Sequence, residues 1–200
     1  MPRLAWPLGL TVIRVFLGPL MLWLSYQERD PVPWVLLCLY VAVISDIFDG
    51  ILARRLGVAT PALRRFDSQA DLVFWLCALG CVWLLQPKIA MRNAGYICLI
   101  LVLEAATYVI SFVKFGREPS THAYLAKVWG IVLVGTFTAI LGFGEDKFSI
   151  PILFIAYVVS FVDIVAIILL LPRWQTDVPS AYHAWLIRRN IPIRRHKLFH

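Results

Sequence analysis

Residues 32–56 read VPWVLLCLYVAVISDIFDGILARRL, an apolar run from Val32 to Ser45 that passes without a turn signal into Asp46, Asp49 and the Arg54-Arg55 pair. A run of this length crosses a bilayer as a helix at ~1.5 Å rise per residue. An ionised side chain near the bilayer centre costs roughly 2.5–3.5 kcal/mol on insertion scales. Two carboxylates inside such a run therefore call for a function that needs them there.

Outward from this stretch the same texture covers the chain. Of its 200 residues 60% are hydrophobic and only 16% charged, with eight Trp, a composition that excludes an ordinary soluble domain. The longest stretch free of Asp, Glu, Lys and Arg is nevertheless 17 residues, Val128 to Gly144, so the apolar segments are repeatedly interrupted by charge. At ~20 residues per span the chain has room for about six helices. Pro, Gly and charge clusters place them near Leu8–Tyr26, Val32–Leu56, Leu63–Leu85, Ala90–Phe115, Tyr124–Gly144 and Ile150–Leu171. The expected fold is an all-α, polytopic integral membrane bundle of six transmembrane helices.

The first segment carries Arg14 and no small-residue cleavage site, so it reads as a retained span rather than a removed signal peptide. Cys38, Cys77, Cys81 and Cys98 all fall in apolar segments without a C-x-x-C pair, which reads as packing rather than a disulfide framework or a zinc site. Trp6, Trp23, Trp34 and Trp83 fall near span ends, where interfacial anchoring is expected.

Alternating the loops between two sides gathers Arg3, Arg14, Arg54, Arg55, Arg64, Arg65, Lys114, Arg117, Lys127, Arg173 and the basic residues of the tail on one side. Arg29, Lys88, Arg92 and Lys147 remain on the other. The positive-inside rule then places both termini in the cytoplasm, which needs an even number of spans. The net charge of +7 is thereby assigned to orientation and lipid headgroups, and no nucleic-acid partner is expected. Residues 1–175 form the expected membrane domain and 176–200 a basic cytoplasmic tail, either lying along the anionic leaflet or disordered.

Asp46 and Asp49 stand three apart near the end of the second span, and Asp67 and Asp71 four apart at the start of the third, so each pair shares a helix face. The short connection makes the two helices antiparallel neighbours and lets the acidic faces converge. Four converging carboxylates repel one another unless cations neutralise them, and oxygen ligands at this density favour Mg²⁺, Mn²⁺ or Ca²⁺. The competing structural reading pairs them with Arg54, Arg55, Arg64 and Arg65 in a salt-bridged hairpin. Gly50 beside Asp49 leaves room for close approach to the backbone, Ala53 extends that small-residue face, and Arg54 offers a fork for phosphate oxygens. Together they describe a diphosphate site in the cytoplasmic half of the membrane.

In these residues the chain resembles the CDP-alcohol phosphatidyltransferase family, and within it the phosphatidylglycerophosphate synthases. The family signature is D-x2-D-G-x2-A-R-x8-G-x3-D-x3-D, matched by Asp46, Asp49, Gly50, Ala53, Arg54, Asp67 and Asp71, with Leu63 in place of the motif glycine. Thr11, Arg14 and Pro19 are similar to the family's T-x2-R-x4-P pattern in its first span.

The resemblance implies transfer of a phosphatidyl group from a CDP-activated lipid such as CDP-diacylglycerol to an alcohol acceptor such as glycerol 3-phosphate, with release of CMP. It implies a two-metal site, Mg²⁺ or Mn²⁺, held by Asp46, Asp49, Asp67 and Asp71. Asp71 is the implied general base, and Gly50, Ala53 and Arg54 the CDP-binding residues. A homodimer in a membrane such as a bacterial inner membrane, with the site facing the cytoplasm, is also implied.

Lys114, Arg117, His122 and Lys127 sit between spans four and five, either holding an acceptor phosphate or anchoring that loop on the inner face. Glu104 and Asp163 stand inside spans and are expected to find partners within the bundle. Two other functions compete with phosphatidyl transfer. An ion path through the aspartates lacks polar continuity across the opposite half of the membrane, and an inactive family member kept for assembly sits poorly with the retained aspartates.

Overall fold

The computed structural model describes residues 2–58, 60–119, 123–176 and 178–191, with side chains at all of these except 2–5, 7, 54, 61, 62 and 64. The side chains of Arg54 and Arg64, together with His122 and residues 192–200 of the tail, therefore lie outside the described residues. The elements are helical: α1 (Pro2–Gln27), α2 (Val32–Arg55), α3 (Pro61–Leu85), α4 (Pro87–Arg92), α5 (Ala94–Phe115), α6 (Tyr124–Phe143), α7 (Ser149–Leu170) and α8 (Ala181–Arg188). Six of them, α1, α2, α3, α5, α6 and α7, are long and apolar enough to cross a membrane. Trp6, Trp23, Trp34 and Trp83 are all exposed.

Two compact units divide the chain: Met1–Met91 with Phe137–Glu145, and Arg92–Thr136 with Asp146–His200. In the first, α1 packs against both α2 and α3. Its core is built from Met21, Val35, Leu39, Ala42, Phe74, Ala78 and Cys81. Gly18 sets the approach of α1 to α3: a Cβ there would lie 3.2 Å from Phe74 Cα, a backbone atom with little freedom to yield. Small residues at such crossings let helices meet where lipid supplies no hydrophobic drive. One turn before Gly18 is Arg14, and one turn before Phe74 is Asp71, so the close crossing carries these two side chains toward each other.

The hairpin joining α2 to α3 is defined by its caps. Gly57 takes a left-handed φ of +66° and Val58 donates its N–H to Ala53 at 3.0 Å, a Schellman end for α2. Thr60 then starts α3, its extended backbone followed by Pro61 and its hydroxyl accepting the Leu63 N–H at 3.2 Å. Leu63 is buried in this first turn.

In the second unit α7 packs against α5 and α8. Here the structure departs from a continuous helix over Ala90–Phe115: α4 ends at Arg92 and α5 starts at Ala94, with Asn93 at φ −104°, ψ 12° between them. The cause is tertiary. Arg92 Nε donates to Asp146 Oδ2 at 3.0 Å and Asn93 Nδ2 donates to the same oxygen at 2.7 Å, so both side chains are committed to a buried carboxylate beyond α6.

The segment after α7 returns to the bundle. Ala123, Ile167, Leu171, Val178 and Ala184 form one buried cluster, and Asp163 Oδ1 of α7 accepts the Ala181 N–H at 2.9 Å, capping the first turn of α8. Glu104 also finds a partner, accepting from Tyr157 Oη at 3.0 Å. Lys114 donates to the carbonyls of Ile168 and Leu169 at the end of α7, at 2.9 and 2.6 Å. Arg117 lies over the Trp174 ring at 5.0 Å and Lys127 over Tyr124 at 5.9 Å. Each of these three cations has a structural partner, which favours the anchoring reading of that loop.

Candidate active site

The helical spacing of α2 places Ala42, Asp46, Asp49 and Ala53 on one stripe, and that of α3 places Asp67, Ala70, Asp71 and Phe74 on another. Asp46, Asp49 and Asp67 each bring a carboxylate oxygen to within 4.8 Å of the other two. Asp71 completes the group through a shared partner. That partner is Arg14 of α1, almost fully buried, whose guanidinium reaches all four carboxylates. Nη1 lies 2.9 Å from Asp46 and 3.1 Å from Asp67 and also pairs with Asp71, while Nη2 pairs with Asp49.

The cluster has a closed floor and an open rim. Asp49 is buried and its Oδ2 also accepts from Thr11 Oγ1 at 3.3 Å, whereas the side chains of Asp46 and Asp71 are 45% and 36% exposed. A reactant approaching from the rim meets Asp46 and Asp71 first.

Hydrogen-bond accounting shows that the guanidinium does not complete the site. Nη1 faces three carboxylates, while Nε is buried without a hydrogen-bond partner. Asp67 Oδ1, 3.1 Å from Nη1, is buried and has no hydrogen-bond partner. The oxygens of Asp46, Asp49 and Asp67 are hard donors at mutual distances a shared cation can span. The residues present therefore fit divalent ions.

Gly50 is half-buried beside Asp49 and Ala53 is buried one turn on, both on the helix that carries the first acidic pair. Arg54 continues α2, with its side chain outside the described residues. Along a different face of α2 runs an apolar groove of about 610 Å³, lined among others by Leu10 of α1 and by Val41, Ile44, Phe48, Leu52 and Arg55. Its α2 wall spans ~21 Å from Val41 to Arg55 at the helical rise.

Arg14 and Thr11 are the site residues that reading the aspartates alone does not assign. The signal for them was the T-x2-R-x4-P pattern in the first span, together with the cost of an arginine in mid-span. Among the described residues, Arg14 of α1 pairs with the aspartates, a source that the salt-bridged hairpin reading did not include.

The family model described as CDP-alcohol phosphatidyltransferase matches residues 4–176, and the chain belongs to that family. No curated protein and no solved structure matches it. Membership makes it a transferase acting in phospholipid biosynthesis by phosphatidyl transfer, and with its six apolar helices a multi-pass integral membrane protein.

Proposed function

We propose that this protein transfers the phosphatidyl group of CDP-diacylglycerol to a small alcohol or alcohol phosphate such as glycerol 3-phosphate, releasing CMP, in a reaction that depends on divalent metal. The observation that supports this reading is the convergence of carboxylate oxygens of Asp46, Asp49 and Asp67 to within 4.8 Å of one another, with Asp67 Oδ1 buried and without a hydrogen bond.

Asp46, Asp49, Asp67 and Asp71 would hold Mg²⁺ or Mn²⁺. When bound, the ions supply neutralisation of the diphosphate and stabilisation of charge on the departing CMP. Asp71, on the open rim, takes the proton of the acceptor hydroxyl as that oxygen attacks the lipid-bearing phosphorus and the bond to CMP breaks. Gly50 and Ala53 keep the α2 surface free of side chains where the nucleotide lies, and Arg54 meets its phosphates. The groove from Val41 to Arg55 has the length and apolar lining to take an acyl chain.

Residues 1–175 carry the transferase and 176–200 form its basic tail, anchored on α7 through Val178 and Ala184. By the distribution of Lys and Arg, the site and both termini face the cytoplasm. A homodimer is the expected assembly.

The test is incubation of the purified protein and Mg²⁺ with radiolabelled CDP-diacylglycerol and a panel of glycerol 3-phosphate, inositol, inositol phosphate and serine. One acceptor is expected to yield a labelled phosphodiester lipid with stoichiometric CMP. Ion flux in proteoliposomes with no lipid product from any acceptor would contradict the reading.

A further inference from the structure

Arg14 occupies the middle of the site rather than its edge. Its Nη1 is shared by Asp46, Asp67 and Asp71 and its Nη2 is spent on Asp49. Asp49 Oδ2 also accepts from Thr11, so both of that oxygen's lone pairs are in use. A cation entering among these oxygens competes with the guanidinium for Asp46 Oδ1, Asp49 Oδ2 and Asp71 Oδ1. It would also stand within a few ångströms of a like charge, in surroundings that screen poorly.

Among the described residues, Arg14 is a cation that reaches all four carboxylates across the α1, α2 and α3 contacts. The arginine arrives with the fold. Gly18, one turn away, is what lets α1 approach α3 closely enough to deliver it.

We propose that Arg14 is a built-in counter-ion: it holds the four aspartates together in the metal-free protein and is displaced from them when divalent ions bind. This rests on the metal-dependent reading above. Arg14 is then a positioning residue whose effect on metal affinity is competitive. Affinity for the ion equals the intrinsic affinity of the aspartates reduced by the cost of breaking the arginine contacts, so removing the competitor tightens binding while weakening the empty fold. A purely supporting arginine has the opposite sign: its loss disorders the ligands and weakens binding.

The test uses the full chain in detergent, stripped with chelator, with Mn²⁺ binding followed by electron paramagnetic resonance and thermal unfolding followed by tryptophan fluorescence. Wild type, Arg14→Met and Arg14→Lys are compared. Arg14→Met is expected to bind Mn²⁺ at least tenfold more tightly than wild type, to unfold at a lower temperature without metal, and to gain more on metal addition. Arg14→Lys keeps one charge but loses the two-pronged reach; it remains testable if the Met variant does not fold without metal, and is expected to bind Mn²⁺ more tightly than wild type. Equal or weaker Mn²⁺ binding in the variants, with wild type still binding, overturns the exchange and leaves the proposed function standing. Absence of Mn²⁺ binding in wild type overturns both.

Discussion

Two ionic clusters in this chain are built from the same residue types and differ in their balance. Around Asp146, one carboxylate meets one guanidinium and one amide: Arg92 and Asn93 supply its hydrogen bonds, and none of its oxygens is left buried and unbonded among the described residues. Around Arg14, one guanidinium is divided among four carboxylates and Asp67 Oδ1 is left over. The first is complete without a ligand and bends the chain at Asn93. In the second, oxygens of Asp46, Asp49 and Asp67 converge closely enough to share a cation.

The sharpest way to break this contrast is at Asp71. Asp71→Asn is expected to lower transferase turnover by roughly 10²–10⁴, the usual contribution of a positioned general base, while the folded protein keeps its unfolding temperature or gains slightly from reduced repulsion. Turnover measured beside thermal unfolding checks it. Near-normal turnover would remove Asp71 from the role of base. Asp49→Asn comes next. It removes the most buried carboxylate, so it should raise the Mg²⁺ concentration needed for half-maximal activity, read from a metal titration.

The balanced cluster should answer differently. Asp146→Ala is expected to cost about 1–3 kcal/mol of stability, the range for hydrogen bonds to a charged group whose partner arginine is more than half exposed, and to leave the metal requirement unchanged. Hydrogen bonding from Arg92 holds the Asp146 carboxyl below the usual carboxylate range. A lowered folded-state pKa means that its stabilisation is present above the unfolded value of about 3.9 and is lost as pH falls from there through the folded value. Unfolding temperature followed below pH 4 should show this loss in wild type and not in Asp146→Asn. The smallest effect belongs to the hairpin. Thr60→Ala, which removes the cap on the Leu63 N–H, should cost about 1 kcal/mol in chemical or thermal unfolding.

Much of this architecture is legible in the linear sequence because it is periodic or punctuated. The six spans follow from apolar runs, four of them ended by Gly57, Gln86-Pro87, Gly116 and Gly144, and the acidic faces follow from spacings of three and four. What escapes is what depends on partners far along the chain. Asn93 after Arg92 is at most a weak local stop signal, and the side chain is recruited there by a carboxylate 53 residues away. The order of the tail as α8 depends on Asp163, 18 residues before it, supplying a cap. Arg14 matched a pattern in its own span, but its role lies in contacts with aspartates 35 and 57 residues distant, which no local spacing encodes.

The central claim, that the aspartates around Arg14 hold divalent ions in a phosphatidyl transfer, is tested most directly by CMP release. The purified protein, CDP-diacylglycerol and the accepted alcohol are combined first in chelator and then with rising Mg²⁺ or Mn²⁺. The account predicts no acceptor-dependent CMP in chelator and recovery of turnover as the ion is added. Full acceptor-dependent CMP release in chelator would contradict it.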